Sequence, residues 1–208
     1  STRNNSDHFS FKNVFLKGLA DDGGLFVPKS IKPFSKDELN KLSGLKNNKS
    51  LVSVVHKKNQ KKESIDFSNL IIALDSVSDP GNLGTIIRIA DWFNIKSILC
   101  SKNTVDLYNS KVIQSSMGSF TRVDVFYDNL EDIMGSKDIS VFGTSTDGTD
   151  INNFEKPDKG IILFGSESKG VSEHLKKYVD KWISIKKNGG AESLNVSVSV
   201  GIILHKMA

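Results

Sequence analysis

The chain has 208 residues, 38% of them hydrophobic and 25% charged, with a formal net charge of +4. This size and composition suit one full globular domain with a smaller appendage, while the one cysteine, Cys100, excludes an intrachain disulfide and a multi-cysteine metal site. No run approaches the apolar length of a membrane span and no signal-peptide core opens the chain, so a cytoplasmic protein without membrane or metal partners is expected.

In chain order, Ser10–Leu19 reads as a helix and Asp21-Asp22-Gly23-Gly24 as a turn. His56–Lys62 (HKKNQKK) is the densest basic run, suited to a solvated loop or to contact with a phosphate backbone. From residue 69 onward, short β-rich runs alternate with helical patterns. Strands are expected at Asn69–Leu74, Lys96–Cys100, Arg122–Tyr127, Ser140–Thr144, Gly160–Phe164 and Trp182–Ile185. Helices are expected at Asn82–Phe93, where Leu83, Ile86, Ile87 and Ala90 share a face, and at Asn109–Met117 and Ser172–Val179. Continuous apolar strands alternating with helices imply an α/β fold, a mostly parallel sheet with helices on both faces.

Two periods compete near the end of the chain. Asn195–Val200 (NVSVSV) alternates as a half-buried strand would. At helical spacing Leu194, Val198 and Ile202 form an apolar stripe, and Ser193, Ser197 and Gly201 a small-residue stripe that would admit another backbone closely. Pattern alone leaves both open.

Three loops follow strands and carry glycine or turn chemistry. The first is "DSVSDPGNLGTIIR", residues 75–88, where Asp79-Pro80-Gly81 signals a turn and Asn82 is a candidate helix cap. The second is "GSESKG", residues 165–170. It nearly spells a phosphate-cradling loop, yet Lys169 precedes its second glycine where that loop needs the lysine to follow. The third is "IKKNGGAESLN", residues 185–195, with paired glycines that would free the backbone. Ligands of open α/β sheets bind beyond the carboxyl ends of the strands, so three such loops predict one composite pocket. Read singly, Asn82 is a cap, Ser193 a helix start and Glu167 a solvent-facing carboxylate. Arg88 interrupts an apolar helix face in a chain whose other arginines are Arg3 and Arg122. Its planar fork of donors suits a salt bridge or a phosphate.

Taken together, "DPGNLGTIIRIADWF", "LFGSESKGVS" and "ISIKKNGGAESLNVSVSVGIIL" resemble, in this order, the three motifs of the SpoU-type SPOUT RNA methyltransferases. The resemblance runs from about residue 46 to the C-terminus, leaving 1–45 as an appendage and 46–208 as the methyltransferase-like domain. It implies S-adenosylmethionine-dependent methylation of a ribose 2′-hydroxyl in rRNA or tRNA. It further implies a C-terminal trefoil knot, an exception to the rule against threaded chains, a helix for the last segment, and a homodimer whose interface borders the site. By resemblance, Asn82, Arg88, Glu167, Ser193 and Asn195 are the catalytic candidates. Gly165, Ile185 and Leu194, with Thr144, are the cofactor-binding ones, and no metal is required. The family often has proline after the position of Ile185, where this chain has Lys186-Lys187.

Residues 1–40, "STRNNSDHFSFKNVFLKGLADDGGLFVPKSI" above all, resemble instead the start of threonine synthase. The stretch includes none of that enzyme's pyridoxal-phosphate machinery, so no threonine synthase activity is expected. Because SpoU-type enzymes commonly carry an RNA-binding domain before the knot, a second reading is a non-catalytic RNA-binding module that retains the knotted fold.

Overall fold

The computed structural model describes Ser35, Asp37, Glu38, Lys41, residues 62–136 and residues 138–207. The chain divides into two compact units, 1–58 and 59–208. Helix Ser10–Leu19, the Asp21–Gly24 turn, Arg3 and most of the basic run 56–62 lie outside the described residues. In the first unit Ser35 and Glu38 form a reciprocal cap. The Glu38 amide donates to Ser35 Oγ at 3.2 Å, and the Ser35 amide donates to Glu38 Oε2 at 2.8 Å.

The second unit is built on six strands: β1 (Leu70–Leu74), β2 (Ser97–Cys100), β3 (Asp124–Tyr127), β4 (Val141–Asp150), β5 (Gly160–Phe164) and β6 (Lys181–Ser184). Their order is β3-β2-β1-β5-β4-β6, and every pairing is parallel. Side chains alternate between the two faces of a strand. Ile72 and Leu74 of β1 therefore join Ile162 and Phe164 of β5 in one core, while Ile71, Ala73, Ile161 and Leu163 join the other. Both faces are buried, which is why these strands read as unbroken apolar runs.

Five α-helices flank the sheet: α1 (Pro80–Trp92), α2 (Ser110–Ser115), α3 (Leu130–Ser136), α4 (Glu173–Lys176) and α5 (Val196–Met207). Helix α1 starts where Asp79 Oδ1 accepts the Asn82 amide at 2.8 Å, with Pro80 in the first turn. The cap is thus Asp79 and not Asn82, whose side chain is left free for other partners. Leu83, Ile86, Ile87 and Ala90 are buried beneath it. At Gly84 the helix meets α2 so closely that a Cβ there would stand 1.9 Å from Ser115 Oγ and 2.7 Å from the Val112 carbonyl oxygen.

The last segment is helical. Asn195 caps α5: its Oδ1 accepts the amides of Ser197 at 2.9 Å and Val198 at 3.4 Å, and its carbonyl accepts the Ser199 amide at 3.0 Å. Val196, Val200, Ile203, Leu204 and Met207 are buried, whereas Val198 and Ile202 stay exposed. Gly201 faces the Ile89 side chain of α1, at an ordinary 3.6 Å from where its Cβ would be.

Candidate active site

Strands β1 and β5 are neighbours, but the chain leaves β1 for β2 on one side of the sheet and leaves β5 for β6 at the opposite edge. The crevice at such a reversal, beyond the carboxyl ends of the strands, is the place where open α/β sheets bind ligands. Here those ends carry the loops 75–79, 165–172 and, from β6, 185–195.

The 165–172 loop is closed on itself. Ser166 and Gly170 exchange amide–carbonyl hydrogen bonds of 3.1 and 2.9 Å, and Gly170 turns through φ 65°. At Gly165 a Cβ would fall 1.9 Å from the Gly170 carbonyl carbon, so only glycine lets the two legs pass. Glu167 stands exposed at the tip.

A hydrogen-bonded relay joins the three loops. Asn195 Nδ2 donates to Asn82 Oδ1 at 2.9 Å, and Asn82 Nδ2 donates to Glu167 Oε1. Its direction follows from the cap. Asn195 Oδ1 faces two backbone N–H groups and the Ser197 hydroxyl, 2.6 Å away, so only the amino end of that amide can turn towards Asn82. Asn82 must then present its carbonyl to Asn195 and its amino group to the carboxylate.

Beside the relay lies a cavity of about 850 Å³, within the size range of sites for small molecules and cofactors. Of the residues singled out in the sequence, Thr144, Gly165, Glu167, Ile185, Ser193 and Leu194 line it. Asn82 and Asn195 meet it through Glu167. Arg88 does not line it. Six residues beyond Asn82 on α1, it is turned about 120° around the helix axis, is exposed, and has no hydrogen bond or ion pair to any described residue. The glycine pair Gly189-Gly190 has open space where side chains would be and no positive φ, so local packing does not require glycine there.

The sequence predicts a strand ending at Thr144, but β4 runs to Asp150. Thr144 and Thr149 both pair with Ile183, and the residues between them bulge towards the cavity, where Ser145, Thr146 and Asp147 form part of the wall. Their turn-like composition after an apolar run was the available signal. Lys169, Lys186 and Lys187 also line the cavity. Asp75 was likewise missed. It is 2% exposed, and it joins the first loop to the second through Ser76 and the Ser172 amide. Among the described residues no group of three or more His, Cys, Asp or Glu side chains could hold a metal, and no helix is long and apolar enough to cross a membrane.

Comparison with known proteins agrees with this architecture. The Threonine synthase N terminus family matches residues 1–71. An uncharacterized tRNA/rRNA methyltransferase of Borreliella burgdorferi is 31% identical over 72% of this chain and 73% of its own length. The 23S rRNA (guanosine(2553)-2'-O)-methyltransferase RlmP of Bacillus subtilis is 29% identical over 70% of this chain and 60% of its own. The chain thus spans about half to three-quarters of the length of the curated relatives it matches. An AdoMet-bound rRNA methyltransferase from Sinorhizobium meliloti superposes with a TM-score of 0.63 at 28% identity, over 68% of this chain and 56% of that one. The SpoU rRNA Methylase family itself matches residues 69–205, the whole sheet and α5 up to His205, and the chain belongs to that family.

Proposed function

We propose that the chain transfers a methyl group from S-adenosylmethionine to a ribose 2′-hydroxyl of rRNA or tRNA. The observation that carries this reading is the relay Asn195–Asn82–Glu167, drawn from three distant loops of a SpoU-family domain to the edge of one cavity. The RlmP relative is named for a 2'-O-methylation of 23S rRNA and the S. meliloti relative was solved with AdoMet, which supports both the reaction and the cofactor.

The cavity suits that cofactor. Phe164, Val171, Ile183 and Ile203 offer an apolar wall to a purine, while Asp147, Glu167 and Glu192 supply negative charge towards a sulfonium and an ammonium group. Thr144 spends its hydroxyl on the Leu163 carbonyl, 3.1 Å away, so it offers a ligand its methyl group and backbone. Gly165, Ile185 and Leu194 contribute mainly backbone and apolar contact.

When bound, S-adenosylmethionine supplies an electrophilic methyl carbon. The protein's task is then to align a ribose oxygen behind it and ease loss of its proton. Asn82 and Asn195 have fixed donor and acceptor ends to orient the hydroxyl, with Ser193 exposed on the same rim. Arg88, exposed on α1 outside the cavity, is assigned to a neighbouring phosphate of RNA lying across that helix, since a guanidinium keeps its proton too firmly to act as a base. Lys169, Lys186 and Lys187 favour the approach of a polyanion.

The working form in this reading is a homodimer. Leu194, just before α5, and Val198 and Ile202 on it are 47%, 49% and 37% exposed, and Leu194 also lines the cavity, so an interface over these residues borders the site. Val198→Asp should then yield monomers in light scattering. Activity is tested by incubating the protein with methyl-labelled S-adenosylmethionine and total RNA, then digesting to nucleosides. Label on ribose is expected; label confined to bases would reject the chemistry. Cofactor binding without RNA-dependent turnover would favour the non-catalytic RNA-binding module.

A further inference from the structure

We infer that Asp75 is a positioning residue, whose buried carboxylate braces the loop bearing Glu167 against the loop bearing Asn82. The inference rests on the methyl-transfer reading above.

Asp75 follows β1 and does not line the cavity. Its Oδ2 accepts the Ser172 amide at 2.7 Å, and its Oδ1 accepts the Ser76 hydroxyl at 3.0 Å. Ser172 lies two residues past Gly170, where the Glu167 loop closes. Ser76 opens the loop that leads through Asp79 to Asn82. One side chain therefore grips the return leg of one loop and the outgoing leg of the other, across 97 residues of sequence.

Two features are costly and call for a reason. A carboxylate withdrawn from water persists only where hydrogen bonds compensate it, and an apolar residue would fill the same place more simply. Ser76, its neighbour, sits at φ 60°, a left-handed conformation that side chains other than glycine, asparagine and aspartate seldom adopt. That conformation is over-determined from β2: the Ser76 amide donates to Ser101 Oγ at 2.8 Å, which lies 3.2 Å from Thr104 Oγ1, itself 3.3 Å from the Leu74 carbonyl oxygen. Backbone strain held in place by its surroundings is characteristic of functional sites.

The geometric consequence concerns Glu167. The Ser166–Gly170 closure makes the loop tip one piece, and Val171 in the core and Asp75 at Ser172 together hold its return leg. The Ser172 bond ties that leg to the start of the first loop. The tip then meets Asn82 at hydrogen-bonding distance.

Three variants test this. Asp75→Ala removes both braces; turnover with RNA should fall at least tenfold, affinity for S-adenosylmethionine should change less than turnover does, and amides 166–172 should exchange hydrogen faster. Asp75→Asn keeps a carbonyl oxygen for the Ser172 amide and can donate to Ser76 Oγ, so it should retain at least a third of wild-type turnover. Ser76→Gly removes the hydroxyl and relieves the strain. It should melt no lower than wild type yet exchange faster at 166–172 and turn over about threefold more slowly. This third variant decides the matter should Asp75→Ala not fold. Equal loss in Asp75→Asn and Asp75→Ala would overturn the inference in favour of a role for the charge, as would wild-type exchange and turnover in Asp75→Ala or Ser76→Gly. If the wild-type protein methylates no RNA, the functional reading fails, while the exchange measurements still decide the brace.

Discussion

Asn195 Nδ2 donates to Asn82 Oδ1 at 2.9 Å across 113 residues of sequence, while the oxygen of the same Asn195 amide caps helix α5. The two ends of that amide can be separated by mutation. Asn195→Asp keeps an acceptor for the cap but loses the donor, so it should hold stability within about 0.5 kcal/mol while turnover falls strongly. Asn195→Ala loses both, adding about 1 kcal/mol of destabilisation. Denaturant unfolding beside methyl-transfer kinetics checks the pair, and cofactor affinity should suffer less than turnover in each. A greater loss of affinity would move Asn195 to the cofactor side.

Arg88 makes no hydrogen bond or ion pair with any described residue, so its replacement should leave the fold untouched. Arg88→Lys should melt within a degree or two of wild type and lose most of its activity, because a point charge cannot reproduce a planar fork of donors. Near-wild-type turnover in this variant would remove Arg88 from the site.

Gly84→Ala addresses packing alone. Its new Cβ would meet the Val112 backbone oxygen at 2.7 Å as well as Ser115 Oγ, so trimming Ser115 cannot make room. Forcing α1 and α2 apart should cost about 1–3 kcal/mol, read as a lower midpoint in urea. Ser115→Ala in the same background should restore only part of it.

Asp91 and Arg122 make a two-point ion pair, with Asp91 Oδ2 accepting from Arg122 Nη2 at 2.7 Å and Nε at 2.9 Å. Hydrogen bonding from Arg122 holds the Asp91 carboxyl below the ordinary aspartate range, against the opposing effect of burial. A depressed carboxyl adds stability above the unfolded-state value, near pH 4, and loses that contribution as the pH falls through the lower folded-state value. Arg122 is 56% exposed, which screens the pair to a few tenths to about 1 kcal/mol. The stability gap between wild type and Asp91→Asn should therefore be full at pH 6 and close in strong acid; a constant gap would refute the assignment.

The sheet was legible because its strands are buried on both faces, so Leu70–Leu74 and Gly160–Phe164 appear as bare apolar runs. Helix α3 escaped notice: seven residues are too few to show a helical period. The cap of α1 was misplaced because asparagine and aspartate are nearly equal caps, and only the position of Pro80 favours Asp79. Helix α5 supported two periods equally until the resemblance and then the coordinates separated them. Within the site, glycines and short polar residues after strands marked the loops. Asp75 and Asp147 were hidden because an aspartate following a strand looks like an ordinary turn residue. Nothing local tells that the one will be buried and that the other will line a ligand-sized space.

The junction of Asn82, Glu167 and Asn195 bears on biosynthesis. Asn195 is made 113 residues after Asn82, so a growing chain carries the Asn82 and Glu167 side chains before the residue that orients them. A nascent chain stalled before Asn195 leaves the ribosome lacks both the partner of Asn82 and the core residues of α5. The relay can assemble only after Asn195 has been made.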